Sequence, residues 1–249
     1  MPEEPVRLLA WDSGFFGFPV GMLDPRLVSP DALAADVESA RRRGIRCIYC
    51  LLDSGRLAMA PALEDAGFRL VDLRIELSRE LPRNLSSAPS GVLVPPVREL
   101  AAADLESLRT IASGIFLTTR FYADPHFDRA RVSEMYSLWF EKDASGGAEK
   151  VFVATGENGP AGFVTCRLQD GDHTRGVVSL LGVGRGSRGR GLGRGLVDSA
   201  LEWFESVGAR RAEVVTQAGN ASAVSLYERC GFRVERVGAW FHAWPGDPS

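Results

Sequence analysis

The residue types able to do chemistry are densest at Arg188-Gly189-Arg190-Gly191-Leu192-Gly193, between an apolar run, VVSLLGV, and the amphipathic pattern of 191–207. Glycine lets a backbone come close to a ligand, and the free amides of a helix N-terminus, with its dipole, favour an anion. Such a loop can hold a pyrophosphate. Arg185, Arg188, Arg190 and Arg194 surround it with cations, although without the glycines they would read as a solvated charged face. Two other phosphate schemes fit less well. A Walker loop ends in Gly-Lys-Ser/Thr, and the only lysines are Lys142 and Lys150. A dinucleotide fingerprint is formally present as Gly184-x-Gly186-x-x-Gly189, but it expects an acidic residue closing the next strand, which here ends in Thr216-Gln217.

A second group follows at Asn220-x-x-Ala223-x-x-Leu226-Tyr227-Glu228-x-x-Gly231-Phe232. Asn220, Ala223 and Tyr227 are three and four apart and share one helical face, with small Ala223 leaving room beside the phenol. Taken alone, Tyr227 would read as a core aromatic.

Composition removes several function classes. Net charge is −3, from 29 basic and 32 acidic residues, which gives no general attraction to nucleic acid. No apolar run approaches the roughly 18 residues of a membrane span, and the acidic start MPEEPVRLLAWDS does not read as a signal peptide. The expected location is the cytoplasm, with reduced thiols. Cys47 and Cys50 lie in the run IRCIYCLL, where residues three apart point to opposite faces of a strand, and Cys230 reads as a packing residue. His126, His173 and His242 lack metal-ligand spacing, so no metal is expected.

These groups must be positioned by surrounding elements. PRNLSSAPSG at 82–91 reads as a junction between an N-terminal α/β domain, 1–90, and a second domain, 91–249. In the first, 29–44 is a helix with Ser29 as cap and Gly44 beyond its end; a strand at about 45–52, a short helix ending near Ala66 and the strand FRLVDLRIEL follow. In the second come the strand VREL, a helix from Asp104 to about Ser113 and another at about 128–142. The strands KVFVAT, AGFVTCRL and GVVSLLGV precede the glycine loop, and after its helix come strand ARRAEVVTQ, helix 220–230 and a strand pair near FRVERVGAWFHAW. The result is a mixed sheet in an α/β (α+β) layer. RRRGIRCIYCLL then ALEDAGFRLV parallels SVGARRAEVV then LYERCGFRV, through either a degenerate half-copy or chance recurrence of short α/β units.

In this order and context, the loop and the later helix together resemble the paired signature of the GNAT acyltransferases over roughly residues 97–244, with Arg185 where that family often has proline. The resemblance implies a GNAT-type, mostly antiparallel sheet flanked by helices. It also implies acetyl-CoA as cosubstrate, held by Leu181, Gly182, Val183, Arg188 to Arg194 and Asn220. The thioester carbonyl would lie near the backbone amide around Gly182 or Val183, and Tyr227 would be the general acid. Trp11-Asp12-Ser13-x-Phe15-Phe16-Gly17-Phe18-Pro19 and Arg120-Phe121-Tyr122-x-Asp124-Pro125 resemble a narrower group, the dTDP-fucosamine acetyltransferases. That implies a nucleotide-sugar amine as acceptor, contacts from Arg120, Tyr122, Phe15 and Phe16, and a homodimer. The same residues also read as a turn packing its phenylalanines and as a capped loop with a surface arginine. The general base stays open among Glu134, Asp170 and a water chain. The alternatives are a GNAT enzyme for another amine, such as a protein N-terminus, a polyamine or an antibiotic, and a non-catalytic CoA-binding sensor.

Overall fold

The computed structural model describes residues 4–81, 96–169 and 174–246, so the 82–91 junction lies outside the described residues. The first half runs β1 (Val6–Leu8), α1 (Ala10–Phe16), β2 (Val20–Leu23), α2 (Leu33–Arg42), β3 (Cys47–Asp53), α3 (Ala60–Asp65) and β4 (Arg69–Glu80). The second runs β5 (Val97–Glu99), α4 (Leu105–Ile115), α5 (Arg120–Ala123), α6 (Arg129–Lys142), β6 (Lys150–Gly156), β7 (Gly159–Gln169), β8 (Arg175–Val183), α7 (Leu192–Ser206), β9 (Arg211–Gln217), α8 (Ala221–Arg229) and β10 (Arg233–Ala243).

All ten strands form one sheet in the order β1-β2-β3-β10-β4-β9-β8-β7-β6-β5. Only β2–β3 and β8–β9 pair in parallel among the described strands. The mixed, mostly antiparallel α/β sheet expected from the sequence is therefore present.

The two halves repeat one order: an antiparallel pair, a helical crossover to a parallel strand, a short helix, and a last strand. Each gives that last strand to the other. β4 pairs with β9, β10 pairs with β3, and β4 and β10 lie side by side at the centre, all antiparallel. Arg79 of β4 ties the exchange to α8 by donating to the carbonyl of Cys230 at 2.7 Å. Deleting residues 1–90 is therefore expected to abolish cooperative folding, because β9 and β10 would lose the strand between them and the core would lose buried Leu77. A soluble truncated protein with an unchanged thermal transition would contradict this.

Hydrophobic patterning explains the layers. On β3, Cys50 faces the cluster under α2 and α3, while Cys47 faces the aromatic cluster of α1, α5 and α6, the opposite-face placement that strand geometry requires. The four cysteines are buried and free. A third cluster, under α7 and α8, contains Tyr227, Cys230 and Phe232.

Three local expectations change. α2 begins at Leu33, because 30–32 form turns and Ser29 contributes its carbonyl, at 3.2 Å from the amides of Ala32 and Leu33. WDSGFFGFP is mostly helix α1, ended by Gly17 in the left-handed region at φ 78°. FRVERVGAWFHAW is one long strand with two register shifts instead of a hairpin. Gly238 makes no turn there; it is small because an added Cβ would stand 2.9 Å from Leu51 Cδ1.

Candidate active site

The site begins where the parallel pair opens. β8 and β9 pair from Arg175–Arg211 to Val178–Val214 only, although both strands continue, to Val183 and Gln217. A bulge in β8 at Ser179 causes the divergence, since Cys166 faces Val178 while the adjacent Thr165 faces Leu180. It is pinned from below. The Leu180 amide donates to Thr165 Oγ1 at 3.0 Å, and that hydroxyl donates to buried Asp143 at 2.6 Å.

Beyond the bulge, the Leu180 and Gly184 amides both donate towards β7. Antiparallel alternation then turns the amides of Leu181 and Val183 into the gap and that of Gly182 away from it. Gly182 serves packing instead. An added Cβ there would stand 1.9 Å from Ile115 Cδ1, at the end of α4.

The glycine loop closes one end of the gap. Gly189 and Gly191 have φ 77° and 80°, a region that an L side chain enters at a cost of about 1–2 kcal/mol. Gly191 caps α7 without a side-chain bond, so the first amides of the helix have no intrahelical partner. Gly193 lets α7 approach α8, where an added Cβ would lie 3.2 Å from Leu226.

The loop arginines are exposed and adaptable. Arg188 Nε donates to the Val183 carbonyl at 3.2 Å, Arg190 pairs with Glu157 at 2.6 Å, and Arg194 pairs with Asp198 at 3.3 Å. Exposed pairs of this kind contribute about 0–1 kcal/mol and can yield to a phosphate.

α8 forms the other wall. Asn220 is its N-cap and accepts from the Ala223 amide at 3.3 Å and from Ser222 at 3.0 Å, both through its carboxamide oxygen, which leaves its NH₂ for another acceptor. Tyr227 is buried in the cluster that Leu181, Val183 and Ala223 also pack against, edge-on to Phe232 at 5.7 Å. No described group hydrogen-bonds its hydroxyl. Burial pushes its pKa well above the usual phenol value.

A second group of side chains stands on the sheet face covered by α1, α5 and α6. The Arg120 guanidinium lies over the rings of Trp240, Tyr49 and Phe121, at 3.9, 4.3 and 4.4 Å, with Tyr122 packed nearby. It makes no ion pair among the described residues, and NH1 is 3.5 Å from His242 Nε2. Asp124 is the hub behind it. Its carboxylate accepts from His242 Nδ1 and His126 Nδ1, each at 2.7 Å, and from Trp244 Nε1 at 3.0 Å. Burial would raise the Asp124 pKa, but these donors outweigh it and hold the group well below the carboxylate range. Burial, helped by Arg120, pushes the His242 pKa down to about 4, so the ring is neutral at pH 7 and Nδ1 is its donor. Beside this hub lies a cavity of about 500 Å³ lined in part by Arg69, Asp124, His126 and Trp244.

The structure thus brings together Leu181, Val183, the 188–194 loop, Asn220 and Tyr227, and separately Arg120 and Tyr122. Phe15 and Phe16 are placed differently. Phe16 packs against Phe18, Phe121 and Phe127, while Phe15 lies between Trp11 and the Arg131 guanidinium. Of the possible bases, Glu134 is exposed and paired with Arg131 at 2.6 Å, and Asp170 lies outside the described residues. Sequence reading did not single out Asp72, whose surroundings come from a strand pairing that only the fold reveals. Among the described residues, no group of three or more His, Cys, Asp or Glu is arranged to hold a metal, and no helix is long and apolar enough to cross a membrane.

An opened parallel pair with a glycine loop at a helix start is an arrangement able to hold an anion beside a sheet edge. Residues 115–232 match the Acetyltransferase (GNAT) family, so the chain carries a GNAT acetyltransferase domain and is an acetyl-CoA-dependent N-acetyltransferase. It is 28% identical to the dTDP-fucosamine acetyltransferase of Escherichia coli O6:H1 over 95% of this chain and 97% of that one. It is also 28% identical to the spore coat polysaccharide biosynthesis protein SpsD of Bacillus subtilis, over 61% of this chain and 53% of that one. A GCN5-related N-acetyltransferase from Sphaerobacter thermophilus shares the fold with TM-score 0.66 and 16% identity, over 98% of this chain and 78% of that one.

Proposed function

We propose that the protein transfers the acetyl group of acetyl-CoA directly to the primary amine of a nucleotide sugar, the 4-amino group of dTDP-4-amino-4,6-dideoxygalactose. The observation that carries this reading is the end-to-end similarity to a dTDP-fucosamine acetyltransferase, which takes in the N-terminal half as well as the GNAT domain.

The cosubstrate's pyrophosphate rests on the free amides of Gly191–Arg194, with Arg188, Arg190 and Arg194 turned towards it and Asn220 at the start of α8. The gap edge of β8 receives the thioester, and the amide of Val183 or Leu181 stabilises the oxyanion as the amine attacks. Tyr227 keeps its proton at neutral pH and delivers it to the departing thiolate. Arg120 and Tyr122, with the aromatic cluster containing Phe15 and Phe16 behind them, form the acceptor side. A guanidinium without an ion pair can serve a diphosphate, and aromatic faces can serve a base or sugar.

The nucleotide requirement tests this directly. kcat/KM for the nucleotide sugar is expected to exceed that for the free amino sugar by at least ~10²-fold, the equivalent of about 2.7 kcal/mol of contacts to the nucleotide. Equal values would remove the nucleotide from the account, and a preference for a protein N-terminus, a polyamine or an amine-bearing antibiotic would replace the acceptor.

A further inference from the structure

An alkyl ammonium with a pKa of about 10.4 must lose a proton before it can attack a thioester, and the residues assigned so far supply an acid but no base. β4 supplies a candidate. Arg74 lies opposite Gln217, the last residue of β9, so Asp72, two residues earlier in an antiparallel partner, lies just past the end of β9 on the side where β8 and β9 part. Asp72 pairs with Trp240 in register, and both face the layer of α5 and α6. This strip of sheet is open, since Val215, on the same face two residues before Gln217, is 43% exposed.

Asp72 is half-buried and makes no ion pair among the described residues, and the backbone amides of Leu73 and Arg120 are the donors to its carboxylate. Burial pushes its pKa up to about 6, against the lowering effects of the Leu73 and Arg120 backbone amides and of the Arg120 charge. The titratable groups facing this spot are few. α5 brings Arg120 and Tyr122, α6 brings Tyr136, β4 itself brings Arg74, and α1 and β10 bring Asp12 and His242 beside Arg120. At pH 7 the carboxylate is ionised and forms no ion pair with a described cation, Arg120 acting on it only through its field, so an incoming ammonium would be its natural partner.

We propose that Asp72 is the general base of the reaction, accepting a proton from the acceptor's ammonium as its nitrogen enters the gap between β8 and β9. This rests on the amine-acetylation reading above. The ammonium gives one proton to Asp72, which passes it to solvent. The neutral nitrogen adds to the thioester carbonyl to form the C–N bond, and the C–S bond breaks as the tetrahedral oxyanion collapses. It sheds a second proton in becoming the amide, and the thiolate gains one from Tyr227, which is then reprotonated. The net products are amide, CoA thiol and one released proton.

The test uses the full chain and whichever amine the wild type acetylates, so a wrong acceptor would show as a different preferred amine and leave the status of Asp72 to the variant. Asp72→Asn is expected to bind acetyl-CoA and unfold thermally as the wild type does, while kcat at pH 7 falls ~10²–10⁴-fold. The wild-type kcat/KM should fall as pH drops through about 6, the value at which Asp72 takes up its proton. That limb should vanish in the variant, whose deficit narrows as pH approaches the amine's own pKa. Asp72→Glu should restore part of the rate, and Asp12→Asn should keep the limb. An Asn variant turning over within a few-fold of wild type, or a wild-type profile without that limb, would overturn the proposal, and the second result needs no variant to fold.

Discussion

Replacing Tyr227 with Phe is expected to lower turnover ~10²–10⁴-fold while acetyl-CoA affinity changes by no more than a few-fold. The substitution removes one hydroxyl and keeps the ring that packs edge-on against Phe232 at 5.7 Å. That hydroxyl has no partner among the described residues, so its loss orphans no described buried group and costs little stability. A purely structural tyrosine would therefore predict nearly unchanged rates. The raised pKa sharpens the distinction, because a phenol that stays protonated can act as an acid and not as a base at neutral pH. Initial rates at saturating substrates, paired with direct coenzyme binding, separate the two roles. Near-normal turnover would leave solvent as the proton source for the thiolate.

The second large effect concerns the loop. Gly191→Glu is expected to abolish acetyl-CoA binding, and two contributions are separable. At φ 80° any L side chain adds about 1–2 kcal/mol of strain, which by itself is a ~5–30-fold change if the loop must hold this shape to bind. Gly191 is exposed, so a side chain added there need not enter the core. Gly191→Ala isolates the strain and should bind measurably but weakly. Glu adds a carboxylate at the amides of the α7 N-terminus, where a phosphate and a carboxylate cannot share the donors. Calorimetric affinity of the Glu variant equal to wild type would remove the loop from the site.

Much of the GNAT half was legible because its signals are local. Glycines at 189 and 191 in the left-handed region, Asn220 as a cap and the small faces of Gly193 and Ala223 each express a constraint that one or two turns of chain impose. The helix end at Gly44 was readable for the same reason. The exchange of β4 and β10 was not legible, because β-pairing partners distant in sequence leave no periodic trace; the alternation of FRLVDLRIEL identifies a strand but not its neighbours. That hidden pairing is what places Asp72 beside the end of β9 and Trp240. The hub at Asp124 escaped similarly, since it joins His126 to His242 and Trp244 across more than a hundred residues. The strand pair expected near FRVERVGAWFHAW is a single strand, in which Gly238 makes room for Leu51.

The strand exchange also bears on where chemistry can occur. β2 pairs with β3 along its whole length, from Val20–Cys47 to Leu23–Cys50, and is followed by Asp24 held to Arg26 instead of a glycine loop. Among the described residues, only the second half has both the opened pair and a glycine-capped helix start. The first half contributes β4 and, through Tyr49, part of the aromatic surface around Arg120. The account therefore assigns one acetyl-CoA site per chain and an acceptor side built by both halves.

The most direct measurement is mass spectrometry of the products formed when the full chain is incubated with acetyl-CoA and dTDP-4-amino-4,6-dideoxygalactose, with free thiol followed in parallel. The account predicts a nucleotide sugar heavier by one acetyl group on the 4-amino nitrogen, with one CoA thiol released per acetyl transferred. An unmodified nucleotide sugar, under conditions where another amine in the same panel is acetylated, would contradict it.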